Sequence, residues 1–126
     1  MVAALFGRTL THLHRKELYE GNQEDSDKMF WKRHKFLDDV IINTIRNLPP
    51  RLQIQSSLLD PPAVLLHISI QASTICLHQA AIFKAKATSA KDCELGESKS
   101  RRIEAVETMM AILRVVETAT IAKVTL

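Results

Sequence analysis

The sequence predicts an all-α fold of about four helices packed around a central apolar helix. Of its 126 residues, 46% are hydrophobic, yet only 3 are glycine and 4 are proline, which suits long helices better than short strands joined by many turns. Aromatic residues make up only 5%, so the core is expected to consist of Leu, Ile, Val, Ala and Met. A chain of this length supports one hydrophobic core, and we predict a single helical domain over residues 1–126.

Apolar residues at helical spacing predict the four helices at residues 3–20, 28–47, 61–87 and 99–124. The first is a modest amphipathic helix whose apolar residues are Phe6, Leu10 and Leu13. Residues 21–27 follow with no apolar side chain and are therefore predicted to form a solvated loop. Within it, Ser26 or Asp27 is expected to cap the second helix.

In the second predicted helix, apolar or compatible residues recur every three or four positions: Leu37, Val40, Ile41, Thr44, Ile45 and Leu48. Pro49-Pro50 ends this helix, because neither residue offers an N–H and the residue before a proline is driven out of the α region. Residues 51–60 are predicted to be a connector that includes a short helical turn. Pro61-Pro62 fits the first turn of the third helix, with Asp60 as its cap.

The third predicted helix is apolar around most of its circumference, which is typical of a helix in the middle of a fold. Residues 63–83 are long enough to cross a membrane, but they include four strongly polar side chains: His67, Gln71, His78 and Gln79. Such residues are costly in lipid. We therefore predict a buried core helix and no membrane contact.

Residues 88–100 are polar and include Gly96, so they are predicted to be a linker. The fourth helix then carries one apolar stripe at helical spacing, which we expect to face the core: Ile103, Val106, Met110, Leu113 and Val116. Charged side chains occupy the remaining surface and are expected to face solvent: Glu104, Glu107, Arg114 and Glu117.

The sequence predicts no catalytic residue, no cofactor-binding residue and no metal ligand, and hence no enzyme. His67 and His78 are separated by roughly 16 Å along a helix, too far to share one metal ion, so each is predicted to be a half-buried histidine bonded to a neighbour. Asp38-Asp39 lacks a third carboxylate at helical spacing and is interpreted as a solvated pair. A glycine-rich phosphate loop, a Gly-x-Ser-x-Gly elbow and a His-Glu-x-x-His motif are all missing from the sequence.

The formal charge of +3 is too small to imply nucleic acid as a partner. A basic run, Lys28, Lys32, Arg33 and Lys35, lies beside Met29, Phe30 and Trp31. We interpret the run as a solvated helix face and the aromatic residues as packing residues, rather than as a surface that stacks on bases. Arg101 and Arg102 carry no specific signal. Cys76 and Cys93 lie in unlike contexts and are predicted to be free thiols in a reducing compartment.

The third predicted helix, LLHISIQASTICLHQAAIFKA, resembles the central helix of the middle homology region of fungal zinc-cluster transcription factors. In that family, Leu-His pairs stand about three turns apart on a long apolar helix, as Leu66-His67 and Leu77-His78 do here. Trp31 and Leu48-Pro49 resemble features of the family's upstream helix. The stretches SRRIEAVETMMAIL and ALFGRTLTHLHR are similar to the next helix and to the helix before the variable loop.

The chain departs from the family pattern at two places. Gln79-Ala80 stands where Arg-Pro is usual, and Arg102 stands where a cysteine is usual. The resemblance covers the C-terminal part of the middle homology region, a partial domain of a larger helical regulatory region.

The resemblance implies a nuclear regulator of transcription. The implied partners are proteins of the transcription machinery or the rest of a larger regulator, together with a small-molecule effector. Two cysteines cannot form the family's six-cysteine zinc cluster, so neither zinc binding nor DNA binding is carried over to any residue here. From the residues alone, the alternative is a stand-alone small helical bundle that binds an apolar ligand or a partner helix in a pocket lined by the third and fourth predicted helices.

Overall fold

A computed structural model describes Gly7 and residues 23–53, 60–88 and 92–125. These residues form three α-helices and one 3-10 turn, so the all-α prediction is confirmed for the part of the chain that the structure describes. The helices are α1, Gln23–Arg46, α2, Pro61–Thr88, and α3, Asp92–Thr125. Three helices are therefore seen where about four were predicted. Of the helix predicted at residues 3–20 the structure describes Gly7 alone, which is helical and exposed, and the rest of that prediction lies outside the described residues.

Helix α1 begins at Gln23, whereas residue 28 was predicted, so the predicted loop is wrong for residues 23–27. Ser26 is inside the helix and only 7% exposed, so it is not the predicted cap. Asp27 is also helical and forms an ion pair with Lys84 of α2 at 2.7 Å.

The proline pair ends α1 as predicted, and α2 begins where it was predicted. After Arg46, a 3-10 turn spans Pro50–Leu52, in which the Leu52 N–H donates to the Pro49 carbonyl at 2.8 Å. The Val64 N–H donates to the carbonyl of Asp60 at 2.9 Å, which fixes the first turn of α2. This helix is long and apolar enough to cross a membrane, and half of its most apolar window is buried inside the chain, as is also typical of a core helix.

Helix α3 begins at Asp92, and the linker prediction is wrong for residues 92–100. Gly96 therefore lies within a helix, where glycine costs about 1 kcal/mol relative to alanine. Ser98, two residues later, is only 3% exposed. Its neighbours Gly96, Glu97, Lys99 and Ser100 are exposed. The polar composition of this segment is therefore that of a largely exposed helical turn, and not that of a loop.

Helix α2 lies in the middle and packs against both α1 and α3, in agreement with its apolar circumference. Residues 89–91 alone separate α2 from α3, and the two helices form an αα-hairpin. The core cluster joins α1 to α2 and consists of Leu37, Ile41, Leu48, Ile70 and Leu77. Burial of a side chain of this size contributes about 1.5–3 kcal/mol, so this cluster is the main attachment of α1 to the hairpin.

Four of the five residues of the apolar stripe predicted to bury α3 are exposed, namely Ile103, Val106, Met110 and Leu113, and the fifth, Val116, is half-buried. Helix α3 instead buries Ser98, Ala105 and Ile112, which recur every seven residues and so share one face. Small side chains at Ser98 and Ala105 allow the axes of α2 and α3 to approach closely, and α2 offers small residues in return, at Ala81 and Ala85. Shape therefore selects the buried face of α3, although the stripe is more hydrophobic.

Candidate functional site

A single carboxylate oxygen joins all three helices. Oδ1 of Asp38 in α1 accepts a hydrogen bond from Nε2 of His78 in α2 at 3.1 Å and another from Nη2 of Arg101 in α3 at 2.8 Å. The His78 side chain is 2% exposed and that of Asp38 is 16% exposed. We call Asp38, His78, Ser98 and Arg101 the Asp38 clasp.

Both ring nitrogens of His78 have hydrogen-bond partners. Because the Asp38 carboxylate only accepts, Nε2 carries the proton of that bond. Ser98 Oγ lies 3.2 Å from Nδ1 and hydrogen-bonds to it. Every polar group of the imidazole is thus satisfied inside the core, where an unsatisfied one would cost about 1–3 kcal/mol.

The pKa of Asp38 lies below its usual value of 3.8. Burial alone would raise this pKa, because it disfavours the charged form. The hydrogen bond from His78 and the charge of Arg101 outweigh burial and lower the pKa, with smaller contributions from charge on His78 and His34. Asp38 is therefore ionised at neutral pH and pairs with Arg101 as a true ion pair.

The clasp has the residue types of a serine nucleophile site, namely Ser98, His78 and Asp38, but its setting differs. A serine nucleophile acts with backbone N–H groups aimed at the oxyanion, from a turn or a helix start. Ser98 lies six residues after the start of α3, where backbone N–H groups bond within the helix. The arrangement is chemically suited to hold three helices together rather than to attack a carbonyl.

Sequence reasoning placed these residues incompletely. The interpretation of Asp38-Asp39 as a solvated pair is wrong for Asp38, because its carboxylate forms an ion pair with Arg101. Asp39 is exposed. His67 and His78 are hydrogen-bonded to neighbours as predicted, but both are buried, at 6% and 1% exposure. His67 Nε2 bonds the carbonyl oxygen of Leu52, which holds the 3-10 turn against α2.

Two further contacts were not anticipated. Nη1 of Arg102 donates to Oε1 of Gln79 at 2.6 Å, across the hairpin. With Arg101 bound to Asp38, both arginines of the pair have defined partners on other helices. Nothing in the local sequence around them signals these contacts, because the partners are 23 and 63 residues away.

A row of aromatic rings along α1 leads from Phe30 to His78 of the clasp. Phe30 meets Trp31 edge to face at 5.2 Å, Trp31 meets His34 at 5.6 Å, and His34 meets His78 at 5.1 Å. Nζ of Lys84 lies 5.4 Å from the centre of the Phe30 ring. Phe30 is buried and Trp31 half-buried, so these two pack as predicted.

A cleft of about 240 Å³ opens beside the clasp between α1 and α3. Its walls are mostly polar or charged and are formed by Trp31, His34, Lys35, Asp38, Asp39, Glu97 and Ser98. The alternative drawn from the sequence expected an apolar pocket lined by the third and fourth predicted helices. The observed cleft has a different chemistry and lies between different elements.

The other candidate residues are placed as follows. Lys28, Lys32 and Lys35 are exposed and Arg33 is half-buried, along the outer side of α1. The Cys76 thiol is free and half-buried. Among the residues that the structure describes, no three His, Cys, Asp or Glu side chains are grouped as a metal ion requires.

The hairpin presents a set of large exposed apolar side chains, which we call the apolar face. On α3 these are Ile103, Val106, Met110 and Leu113, with exposures of 54%, 39%, 49% and 49%, and on α2 they are Leu65 and Phe83, with 65% and 66%. The two α2 residues are five turns apart and share one side of their helix. Gln79 lies near that side of α2 and bonds Arg102, next to the α3 stripe.

No protein-family model, no curated protein and no solved structure gave a significant match to this chain.

Proposed function

We propose that this chain is a regulatory and interaction region of a fungal-type transcription factor that acts through protein contacts and without catalysis. The apolar face is the observation that supports it. Exposed apolar patches of several large side chains are uncommon on monomers and mark sites of protein contact. Four regularly spaced apolar residues on one helix suit another helix as the contacting element.

The Asp38 clasp supports a scaffold role for the buried side of the hairpin. It holds α1 on the hairpin through the ion pair of Asp38 with Arg101 and the hydrogen bond of Asp38 with His78. The buried side of the hairpin is held by these polar contacts. The apolar face remains exposed and is the surface that binds a partner. The partner class is a helical protein segment of the transcription machinery or of the rest of a larger regulator, in the nucleus.

One pair of contacts bears on the family resemblance. Gln79 and Arg102 stand at two of the positions where the chain departs from the family pattern, and their side chains bond each other at 2.6 Å.

A reporter assay tests the proposal. The chain is fused between a heterologous DNA-binding module and an activation domain in yeast, and transcription is compared with that of the same fusion lacking the chain. We expect the chain to alter transcription at least threefold and Met110→Glu to abolish the effect. Glu104→Gln, a change at an exposed site on the other side of α3, is the matched control. An inert chain, or one whose effect survives Met110→Glu, would count against a regulatory role.

The alternative of a stand-alone bundle shares the apolar face but assigns it to an apolar ligand. Native mass spectrometry of the purified chain distinguishes the two. A retained lipid or metabolite that is lost in Met110→Glu would favour the alternative, whereas a bare chain favours a protein partner.

A further inference from the structure

The stripe on α3 has a symmetric pattern with charges at its two ends. Its apolar members are spaced by three, four and three residues, at Ile103, Val106, Met110 and Leu113, which is the spacing of a coiled-coil seam. Lys99 precedes the first by four residues, and Glu117 follows the last by four. Both are exposed, and at about 100° per residue both fall on the line of the stripe.

Each pair of positions is centred on residue 108: Lys99 with Glu117, Ile103 with Leu113, and Val106 with Met110. A second α3 running antiparallel along the stripe therefore brings Ile103 against Leu113 of the other copy and Val106 against Met110. It also sets Lys99 of each copy beside Glu117 of the other. A parallel second helix would instead place lysine beside lysine and glutamate beside glutamate, which is repulsive.

We propose that the apolar face binds a second copy of this chain, through antiparallel packing of α3 on α3 about a two-fold axis near residue 108. The proposal deepens the function proposed above and rests on the apolar face being an interaction surface. Such an interface is isologous, so each contact occurs twice. The same stripe is used by both copies, so the assembly closes as a dimer.

The size of the surface sets the expected strength. The stripe from Lys99 to Glu117 is about 27 Å long at 1.5 Å per residue, which is short for a coiled coil on its own. An interface toward the small end of the range for specific contacts predicts a dimer with a dissociation constant on the order of micromolar.

Sedimentation equilibrium of the full chain between about 1 and 100 µM tests the proposal, read with two charge variants. We expect a monomer–dimer equilibrium that Lys99→Glu weakens about tenfold, because two attractions become two repulsions. The double variant Lys99→Glu with Glu117→Lys restores the original dissociation constant, since the pairs are re-formed with exchanged signs. Glu104→Gln, at an exposed site away from the stripe, is the matched control and leaves it unchanged.

Disulfide cross-linking reports the orientation. A mixture of the Val106→Cys and Met110→Cys variants is expected to cross-link position 106 to position 110 under mild oxidation, identified by mass spectrometry of the tryptic peptides. Val106→Cys alone is expected to give little 106–106 product.

Three results overturn the proposal: a monomer throughout the concentration range, a dimer that the charge reversal does not rescue, or a dominant 106–106 cross-link. A monomer whose Met110→Glu variant still loses the reporter effect would reject the dimer while leaving the regulatory function in place. A dimer with no reporter effect would reject the regulatory function while leaving the dimer in place.

Discussion

Nε2 of His78 donates to Oδ1 of Asp38 at 3.1 Å. This contact joins α1 to α2, which begins 15 residues after α1 ends. The same oxygen also accepts from Arg101. Removing the charge of one carboxylate therefore weakens contacts to two helices at once, which makes Asp38 the most informative polar position to change.

Asp38→Asn is expected to lower the free energy of unfolding by about 2–3 kcal/mol, because Arg101 and His78 lose a charged acceptor in a partly buried setting. Urea unfolding followed by circular dichroism measures the change. Asp39→Asn is the matched control: the neighbouring carboxylate is exposed, and its replacement should change stability by less than about 0.5 kcal/mol. Equal effects at the two positions would contradict the clasp.

Acid should weaken the fold through the same carboxylate. The pKa of Asp38 is lower in the folded chain than its usual 3.8, so its contribution to stability is fully present well above pH 4 and is lost as the pH falls through the lowered pKa. We expect the stability difference between the unmodified chain and Asp38→Asn to shrink as the pH is lowered from 6 to 3. Unfolding curves at several pH values test this, and a constant difference would contradict the lowered pKa.

The core cluster should tolerate truncation poorly. Ile41→Ala and Ile70→Ala each remove a side chain that is 0% exposed, and each is expected to cost about 2–5 kcal/mol through lost burial and the cavity left behind. Ile45→Ala, at a 41% exposed site on the same helix as Ile41, should cost less than about 1 kcal/mol. Denaturant midpoints of the three variants decide whether α1 is attached as described.

Gly96→Ala should stabilise the chain by about 0.5–1 kcal/mol. Gly96 is helical and exposed, and an added Cβ would meet nothing within 4 Å, so alanine reduces the freedom of the unfolded chain without a clash. A rise in the thermal midpoint is the expected observation. A fall would mean that residues 92–100 are not helical, as the linker prediction had it.

The fold was predictable where the sequence gives local signals and was mispredicted where distant contacts decide. Pro49-Pro50 and Pro61-Pro62 mark helix ends through their own covalent geometry, and the ends at Arg46 and Pro61 were predicted within about one residue. Near Gly96, by contrast, the polar Ser98 is buried against His78, 20 residues away. No local pattern contains that information.

The buried face of α3 illustrates the same limit. Hydrophobicity favoured the stripe at Ile103 to Leu113, but the fit against α2 selected the smaller Ser98 and Ala105. The clasp could not be predicted either, because Asp38 and Arg101 are 63 residues apart and each looks like an ordinary surface charge. What the sequence did convey was the middle position of α2, through the breadth of its apolar surface.

The separations along the chain also imply an order of events in folding. The hairpin contacts from His78 to Ser98 and from Gln79 to Arg102 close loops of 20 and 23 residues, whereas the bonds from Asp38 span 40 and 63. Closing a longer loop loses more chain entropy, and contacts that are near in sequence tend to form sooner. We expect α2 and α3 to pair first and α1 to dock onto them later, so that in pulsed hydrogen exchange the amides around Ala81 gain protection before those around Ile41.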